Sequence, residues 1–115
     1  MNYCIGRIFS YTSIDQDRSF IVPSLFKKKD LKINNLNHCR DFTHIDDICS
    51  AIATLCISKK KGIFNIGSGK KINLINIYNS IKKTNYPLPK KSLTTHYADI
   101  NKIKKIGWLP KKNIE

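Results

Sequence analysis

The residue whose type and position most favour a specific chemical role is Arg40, which begins the stretch spanning residues 40–47. It is one of three arginines beside 18 lysines. A guanidinium can bind two oxygens of a diphosphate at once, in a planar geometry that an ammonium group lacks. We therefore expect Arg40 to bind an anionic group such as a diphosphate. The alternative is a structural ion pair with a nearby carboxylate, from Asp41, Asp46 or Asp47.

A second motif, spanning residues 67–71, has the Gly-Ser-Gly-Lys-Lys composition of a phosphate-binding loop. The P-loop pattern fails, because it needs glycine at position 64 and a hydroxyl residue at 71, where the chain has Phe64 and Lys71. A dinucleotide-binding fingerprint also fails, since its third glycine would fall on Ile72. We interpret the motif as a tight strand-to-helix turn that requires the backbone freedom of glycine.

A third motif pairs Tyr78 with Lys82 at the Tyr-x-x-x-Lys spacing of a catalytic base in short-chain dehydrogenases. Any helix that contains a tyrosine and many lysines produces this spacing by coincidence. Tyr78 also falls on the apolar side of a predicted helix, so we expect it to pack in the core.

The elements that must position these residues alternate in type, as in a small mixed α/β domain. Hydrophobic periodicity and turn residues predict strands over residues 3–11, 31–33 and 63–66, an extended segment over 40–45, and a turn over 34–38. The same signals predict helices over residues 20–29, 48–58, 74–81 and 100–106.

Cap residues support three of these helices. We expect Asp46 or Asp47 to cap the helix over 48–58 and Gly62 to stop it, after a cationic last turn. Asn73 is the expected cap of the next helix. Asp99 caps the last one, which ends at Gly107 with Trp108 as an anchor behind it.

The helix over 48–58 carries an apolar stripe of Ile48, Ile52 and Leu55, with Ala51 beside them. Cys49 and Cys56 share a face with Ile52, so we expect small buried side chains in a reducing compartment. The four cysteines form no CxxC pair. No metal site is expected. The best candidate set of metal ligands, His38, Cys39 and His44, lacks a fourth ligand at a suitable spacing.

The formal net charge of +13 raises the question of nucleic-acid binding. The lysines, however, are scattered in twos and threes along the chain and form no single stripe. With 19 Ile and 11 Asn beside 18 Lys, the composition is typical of an A/T-rich coding sequence. We therefore expect a solvated basic surface, and no nucleic-acid partner.

Four segments resemble the NAD-dependent epimerase/dehydratase family, the extended short-chain dehydrogenases. Residues 40–47 are similar to its RDF-hydrophobic-H-V-D-D segment, and residues 64–69 to its FNIGSG turn. Residues 97–110 are similar to its closing aDisK…LGW.P, and residues 6–11 to its lR-x-fN-x-yG strand. The four matches are in order and cover residues 3 to about 112.

The resemblance implies an α/β fold over residues 1–115. This would be the C-terminal substrate-binding lobe and last strands of an extended Rossmann-type enzyme, lacking the N-terminal dinucleotide-binding half. It implies part of a nucleotide-sugar epimerase, dehydratase or reductase of polysaccharide biosynthesis, in which NAD or NADP exchanges a hydride with the sugar. The family's glycine-rich cofactor loop and Tyr-x-x-x-Lys base precede the matched region. We therefore expect no catalytic residue here, and no catalysis or cofactor binding by this chain alone.

Residue by residue, the resemblance gives Arg40 a contact with the substrate diphosphate. Ser10 matches a position, commonly Asn, that touches the substrate near the nicotinamide, and Tyr11 lies near that end of the cofactor. The remaining substrate positions flank the sugar or supply a second basic contact: Gln16, Phe20, Pro23 and Lys91, with Lys90 beside it.

The implied partner is a nucleotide-sugar substrate. We expect the chain to be a truncated, split or misannotated fragment of such an enzyme, and the split case implies a separately encoded N-terminal half as a further partner. Two alternatives stay open: a stand-alone module that binds an anionic ligand, and a basic nucleic-acid-binding protein. There is no run of 18 apolar residues and no secretory signal. We therefore expect a cytoplasmic protein with no membrane partner.

Overall fold

The computed structural model describes residues 3–13, 15–17, 19–27 and 33–112. The strands are β1 (Cys4–Ile8), β2 (Ser10–Thr12), β3 (His38–Arg40), β4 (Phe42–His44), β5 (Gly62–Ile66), β6 (Ile72–Asn73) and β7 (Thr94–Thr95). The helices are α1 (Ile21–Lys27), α2 (Ile45–Ser58), α3 (Leu74–Lys82) and α4 (Asn101–Lys104), with a 3-10 helix over Ile33–Leu36. The mixed α/β character predicted from the sequence is confirmed. Within the described ranges, no helix has the length and apolar character needed to cross a membrane.

The strands form three small sheets in the described part of the chain. β1 pairs with β5 in parallel, from Cys4 opposite Gly62 to Ile8 opposite Ile66. β2 pairs with β4, also in parallel. The third sheet has the order β6-β3-β7, with β3 antiparallel to β6 and parallel to β7.

The single strand predicted over residues 3–11 is two strands, because the chain changes its partner at Phe9. The Phe9 N–H still donates to the carbonyl oxygen of Ile66 at 3.0 Å, which is the last hydrogen bond to β5. β5 then turns away at Gly67, and the next residue, Ser10, pairs with Phe42 of β4.

Helix α2 begins one turn earlier than predicted. Its N-cap is His44, whose Nδ1 accepts a hydrogen bond from the Asp46 N–H at 3.1 Å. The predicted cap at Asp46 or Asp47 is wrong, since both lie inside the first turn, where carboxylates still complement the helix dipole. The predicted stop at Gly62 is also wrong: Lys59 caps the helix in the left-handed conformation at φ 55°, and Gly62 opens β5.

Two of the predicted caps, Asn73 and Asp99, belong to the later helices α3 and α4. The prediction for Asn73 is confirmed, because its side-chain oxygen accepts from the Ile75 N–H at 2.9 Å. The predicted cap at Asp99 is one residue too early: Asp99 accepts from the Asn101 N–H at 3.0 Å, but the N-cap of α4 is Ile100, and α4 covers one turn instead of the predicted 100–106. Gly107 follows at φ 96°.

Two other predicted elements differ from the structure. α1 begins at Ile21 and ends at Lys27, so residues 28 and 29 of the predicted helix lie outside the described residues. Most of the predicted strand over 31–33 is also outside them. Residues predicted as a turn belong instead to the 3-10 helix, and β3 starts at His38.

Two hydrophobic clusters hold these elements together. The first joins α2, β5 and the C-terminal segment through Ile48, Ala51, Leu55, Phe64, Ile66, Ala98, Ile100, Ile103 and Trp108. The second joins α1, β4 and α3 through Leu25, Leu36, Phe42, Ile72, Leu74, Ile75, Ile77 and Tyr78. Trp108 is the anchor that the sequence predicts, and its indole Nε1–H donates to Ser50 Oγ at 2.9 Å. Tyr78 is buried, as predicted from its place on the helix.

The buried apolar stripe on α2 contains fewer residues than predicted. Leu55 is buried, whereas Ile52 is 44% exposed because the described elements pack on the side of Ala51. Cys49 and Cys56, which share the face of Ile52, are exposed as well, so the prediction of buried cysteines on this helix is wrong.

This difference gives a direct test of the packing. Leu55→Ala should lower the free energy of unfolding by about 2–5 kcal/mol, because it leaves a cavity in the first cluster. Ile52→Ala is the matched control on the same helix and should change it by less than about 0.5 kcal/mol. Urea unfolding followed by circular dichroism measures both, and equal losses would contradict the assignment of the buried face.

Candidate functional site

A groove of about 550 Å³ lies where the end of β1, β2, the start of α1 and β3 converge. The described residues that line it are Ile8, Phe9, Ser10, Tyr11, Gln16, Phe20, Ile21, Val22, Arg40, Phe42 and His96. Five of the eight positions that the sequence analysis names as site residues, Ser10, Tyr11, Gln16, Phe20 and Arg40, are therefore brought together, although they are up to 30 positions apart in the chain. Their roles in binding remain predictions.

The strand pairing explains how the groove is assembled. Ser10 and Tyr11 are held by the pairing of β2 with β4, in which Tyr11 lies opposite Thr43. Arg40 is held from the other side, because its backbone pairs with Ile72 of β6. The groove thus has two walls, each fixed by a separate sheet.

The Arg40 side chain is half-buried and is anchored at one end only. Its Nη1 donates to the carbonyl oxygen of Cys39 and to Thr94 Oγ1, both at 2.8 Å. Among the described residues, no carboxylate lies within ion-pair distance of it. The predicted alternative of a structural Arg–Asp pair is therefore wrong. The remaining guanidinium N–H groups are available to an anion in the groove.

Gln16 contributes a polar atom to the groove that has no hydrogen-bond partner among the described residues. Its Nε2 donates to the carbonyl oxygen of Tyr11 at 3.0 Å. Its Oε1 is buried and accepts no hydrogen bond. A buried acceptor without a partner costs free energy, so a donor placed beside it is favoured. A hydroxyl or N–H group of a ligand is such a donor.

The Tyr11 and Phe20 rings form an aromatic wall on the same groove. Their centroids are 6.5 Å apart and their planes are tilted by 44°. Both rings are partly exposed. Aromatic surfaces of this kind pack against the flat faces of sugar rings and bases, while the tyrosine hydroxyl stays in contact with water.

Sequence reasoning missed His96. The imidazole lines the groove, and its backbone N–H donates to the carbonyl oxygen of Cys39 at 3.1 Å. The sequence signal that could have identified it is its spacing of two residues from Thr94, whose hydroxyl oxygen accepts a hydrogen bond from Arg40. Residues at i and i+2 of an extended segment point to the same side.

Lys91, Lys90 and Pro23 are the predicted substrate positions that are not among the lining residues of the groove. Lys91 is exposed, and its carbonyl oxygen accepts from Asn37 Nδ2 at 2.9 Å. The second lysine contact expected there has no counterpart among the described residues that line the groove.

The Gly67–Ser68–Gly69 turn donates its hydrogen bonds to the buried carboxylate of Asp41. Asp41 is 1% exposed and accepts hydrogen bonds from five donors: the Ser68, Gly69 and Ala98 N–H groups at 2.8, 2.8 and 3.0 Å, Ser68 Oγ at 2.7 Å and Thr43 Oγ1 at 3.3 Å. A Cβ on Gly67 would lie 2.7 Å from both Asp41 Oδ2 and Ala98 Cβ, so glycine is required. Sequence reasoning treated Asp41 as a neighbour of Arg40 and missed this role.

These contacts decide what the turn can bind. A pyrophosphate at such a turn needs free backbone N–H groups. Those of Ser68 and Gly69 already donate to Asp41. The described residues therefore do not fit the pyrophosphate of a dinucleotide at this turn. The interpretation of the motif as a structural corner is consistent with the geometry.

The pair of acids at the start of α2, Asp46 and Asp47, is also structural. Asp47 is buried and accepts from the Lys111 and Lys112 N–H groups at 2.9–3.1 Å. Asp46 is exposed and forms an ion pair with Lys112 Nζ at 3.1 Å. The hydrogen bond from Lys112 lowers the pKa of the Asp46 carboxyl. The Asp46–Lys112 ion pair therefore stabilises the fold fully at pH values above the pKa of Asp46 in the unfolded state. This contribution is lost as the pH falls through the lower pKa that Asp46 has in the folded state.

No protein-family model matches the sequence, and no curated protein matches it. Solved structures do match. The UDP-N-acetylglucosamine 4-epimerase from Methanobrevibacter ruminantium M1 aligns with a TM-score of 0.77 at 18% identity, over 96% of this chain and 41% of that one. The dTDP-glucose 4,6-dehydratase DesIV from Streptomyces venezuelae, solved with NAD, gives 0.76 at 20%, over 96% and 39%. The UDP-glucose 4-epimerase from Thermotoga maritima, solved with UDP-glucose, gives 0.70 at 20%, over 99% and 42%.

The chain has the fold of one part of these enzymes. It spans about 40% of their length, and the likeness covers almost all of the chain itself. The mixed α/β fold predicted from the sequence is thereby confirmed as the fold of a part of such enzymes, and that this part is the C-terminal one remains a prediction.

The role of Asp41 predicts a large effect on stability. Asp41→Ala should lower the free energy of unfolding by at least about 3 kcal/mol, because several buried donors lose their acceptor at roughly 1–3 kcal/mol each. Asp46→Asn is the control on an exposed carboxylate and should change it little. Chemical unfolding at neutral pH measures both, and similar midpoints for the two variants would contradict the proposed role.

Proposed function

We propose that this chain is the substrate-binding portion of a nucleotide-sugar epimerase, dehydratase or reductase, and that it holds the diphosphate of the nucleotide sugar with Arg40. The observation that carries the proposal is the half-buried guanidinium in the groove, held by two acceptors at Nη1 and paired with no described carboxylate. The shared fold supports it, since structures with this architecture were solved with UDP-glucose or other nucleotide sugars.

Each wall of the groove has a part in this proposal. The Arg40 guanidinium binds two oxygens of the diphosphate. Gln16 Oε1 accepts a hydrogen bond from a sugar hydroxyl, which satisfies its empty acceptor position. Tyr11 and Phe20 pack against a flat face of the ligand. Ser10 contributes a hydroxyl where the family commonly has an amide.

The proposal assigns no chemical step to this chain alone. In the family that it resembles, NAD or NADP supplies hydride transfer when bound. The described residues offer no pyrophosphate cradle at the glycine turn, and Tyr78 is buried in the second cluster and does not line the groove. Binding and orientation of the substrate are therefore the contribution of this part, as the C-terminal portion of a cytoplasmic enzyme of polysaccharide biosynthesis.

A binding experiment tests the proposal. UDP-glucose, dTDP-glucose, GDP-mannose and a CDP-sugar are titrated into the chain by calorimetry, with chemical-shift changes as a second readout. At least one should bind, and Arg40→Ala should weaken it by roughly 10- to 100-fold, since hydrogen bonds to a charged group contribute about 1.5–3 kcal/mol. Arg40→Lys should recover part of the loss, because an ammonium binds as a point charge only.

Arg7→Ala is the matched control, because Arg7 is an exposed arginine that does not line the groove. It should leave affinity unchanged. Binding that is lost equally in both variants would point to a general charge effect and contradict the proposal. Steeply salt-dependent DNA binding that ignores Arg40 would instead favour the nucleic-acid alternative.

A further inference from the structure

The Thr94 hydroxyl connects two side chains of β3. Its Oγ1 accepts a hydrogen bond from Arg40 Nη1 at 2.8 Å. The same oxygen lies at hydrogen-bond distance, 2.8 Å, from Nδ1 of His38. His38 and Arg40 share one face of β3 because they are two residues apart, and Thr94 is the register partner of His38. Neither His38 nor Thr94 is among the residues that line the groove.

Both N–H groups of Arg40 Nη1 have acceptors. One donates to the carbonyl oxygen of Cys39 and the other to Thr94 Oγ1. Nε and Nη2 have no partner among the described residues. These two nitrogens form one edge of the guanidinium, and the parallel N–H groups of such an edge bind two oxygens of a phosphate or carboxylate. The contacts of Nη1 therefore leave one complete binding edge free.

Backbone hydrogen bonds fix the position of Thr94 from both sides. The Leu93 N–H donates to the carbonyl oxygen of Asn37 at 2.9 Å, and the His96 N–H donates to that of Cys39 at 3.1 Å. The acceptor for the guanidinium thus belongs to a strand that is paired with β3, and not to a free loop. A hydroxyl held in this way can define the orientation of the long side chain that binds to it.

The direction of the Thr94 hydroxyl hydrogen follows from its two neighbours. A hydroxyl donates one hydrogen and accepts through two lone pairs, whereas a guanidinium only donates. The oxygen therefore accepts from Arg40, and its hydrogen remains for Nδ1 of His38. Nδ1 accepts it when the proton of the neutral imidazole is on Nε2. The result is a chain in which Arg40 donates to Thr94 and Thr94 donates to His38.

Resting on the proposed function, we propose that Thr94 and His38 are positioning residues for the diphosphate contact of Arg40. Nδ1 of His38 directs the Thr94 hydroxyl, and Thr94 holds Nη1 so that the Nε–Nη2 edge is presented to an anion in the groove. An unrestrained arginine loses rotamer freedom when it binds a ligand. Here part of that loss has already occurred in the unliganded protein, which increases affinity for the anion.

NMR spectroscopy of the unliganded chain tests the hydrogen-bond chain. At about pH 8, where histidine is mostly neutral, long-range ¹H–¹⁵N spectra should show the His38 proton on Nε2 and none on Nδ1. Arg40 should give separate Nη1 and Nη2 resonances, because two hydrogen bonds slow the rotation of Nη1. Thr94→Val should merge them. A proton on Nδ1, or Arg40 resonances that this variant leaves unchanged, would overturn the proposal.

Titration with inorganic pyrophosphate, followed at the Arg40 Nε–H resonance, tests the effect on anion binding. Thr94→Val should weaken binding by roughly 3- to 10-fold, as expected for one partly exposed hydrogen bond. Thr94→Ser keeps the hydroxyl and should bind within about twofold of the unmodified chain. Thr95→Val is the matched control, because Thr95 is an exposed neighbour on β7 that does not line the groove. It should leave the affinity unchanged.

Two substitutions of His38 test its part in the chain. In His38→Asn the side-chain oxygen can take the place of Nδ1 as an acceptor, whereas His38→Leu has no acceptor. The leucine variant should bind pyrophosphate roughly 2- to 5-fold more weakly, and the asparagine variant should keep most of the affinity. Equal losses in the two variants would assign His38 a packing role only and overturn its positioning role.

The same variants separate this proposal from the proposed function. If a nucleotide sugar binds through Arg40 while Thr94→Val and Thr95→Val bind it equally well, the positioning role is wrong and the proposed function stands. If pyrophosphate shows the expected pattern but no nucleotide sugar binds, the proposed function is wrong and the positioning of Arg40 toward an anion stands. Failure of pyrophosphate to shift the Arg40 resonance in the unmodified chain would overturn the positioning role.

Discussion

The structure depends most on the buried carboxylate of Asp41. A buried charge is tolerated only when donors surround it, and Asp41 obtains them from the Ser68–Gly69 turn and from Ala98, far away in the chain. This contact joins the β3–β4 corner, the glycine turn and the approach to α4. It also sets the direction of its neighbour. With Asp41 turned inward, the Arg40 side chain lies on the other side of an extended backbone and reaches the groove.

The stretch at residues 40–47 could be predicted in part only, because its partners are distant. The sequence indicates that an arginine and three carboxylates lie close together, and the family resemblance predicts that the arginine faces a ligand. It does not indicate which carboxylate is buried. Asp41 is held by residues 27 to 57 positions away, and Asp47 by residues more than 60 positions away. Local signals predict an N-cap at the acids, whereas the cap is His44, and tertiary hydrogen bonds from the C-terminal segment hold the Asp47 carboxylate.

Predictions that rest on local information succeeded more often. The Asn73 cap and the apolar side of α3 depend on contacts within a few residues, so their pattern could be read directly. The face of α2 depends on which elements cover it, and for this reason Ile52 and its neighbouring cysteines were placed wrongly. His96 was missed for a similar reason, since only the pairing of β7 with β3 brings it beside Arg40.

The groove is connected directly to the β1–β5 sheet. β1 passes through Phe9 into Ser10 and Tyr11, and the Phe9 N–H is the last bond that this segment makes to β5. Among the described residues, β5 is the one strand that pairs with β1. The pairing with β5 therefore fixes the position of β1 and, through Phe9, that of the two groove residues that follow. Chain connectivity alone thus couples this sheet to one wall of the groove.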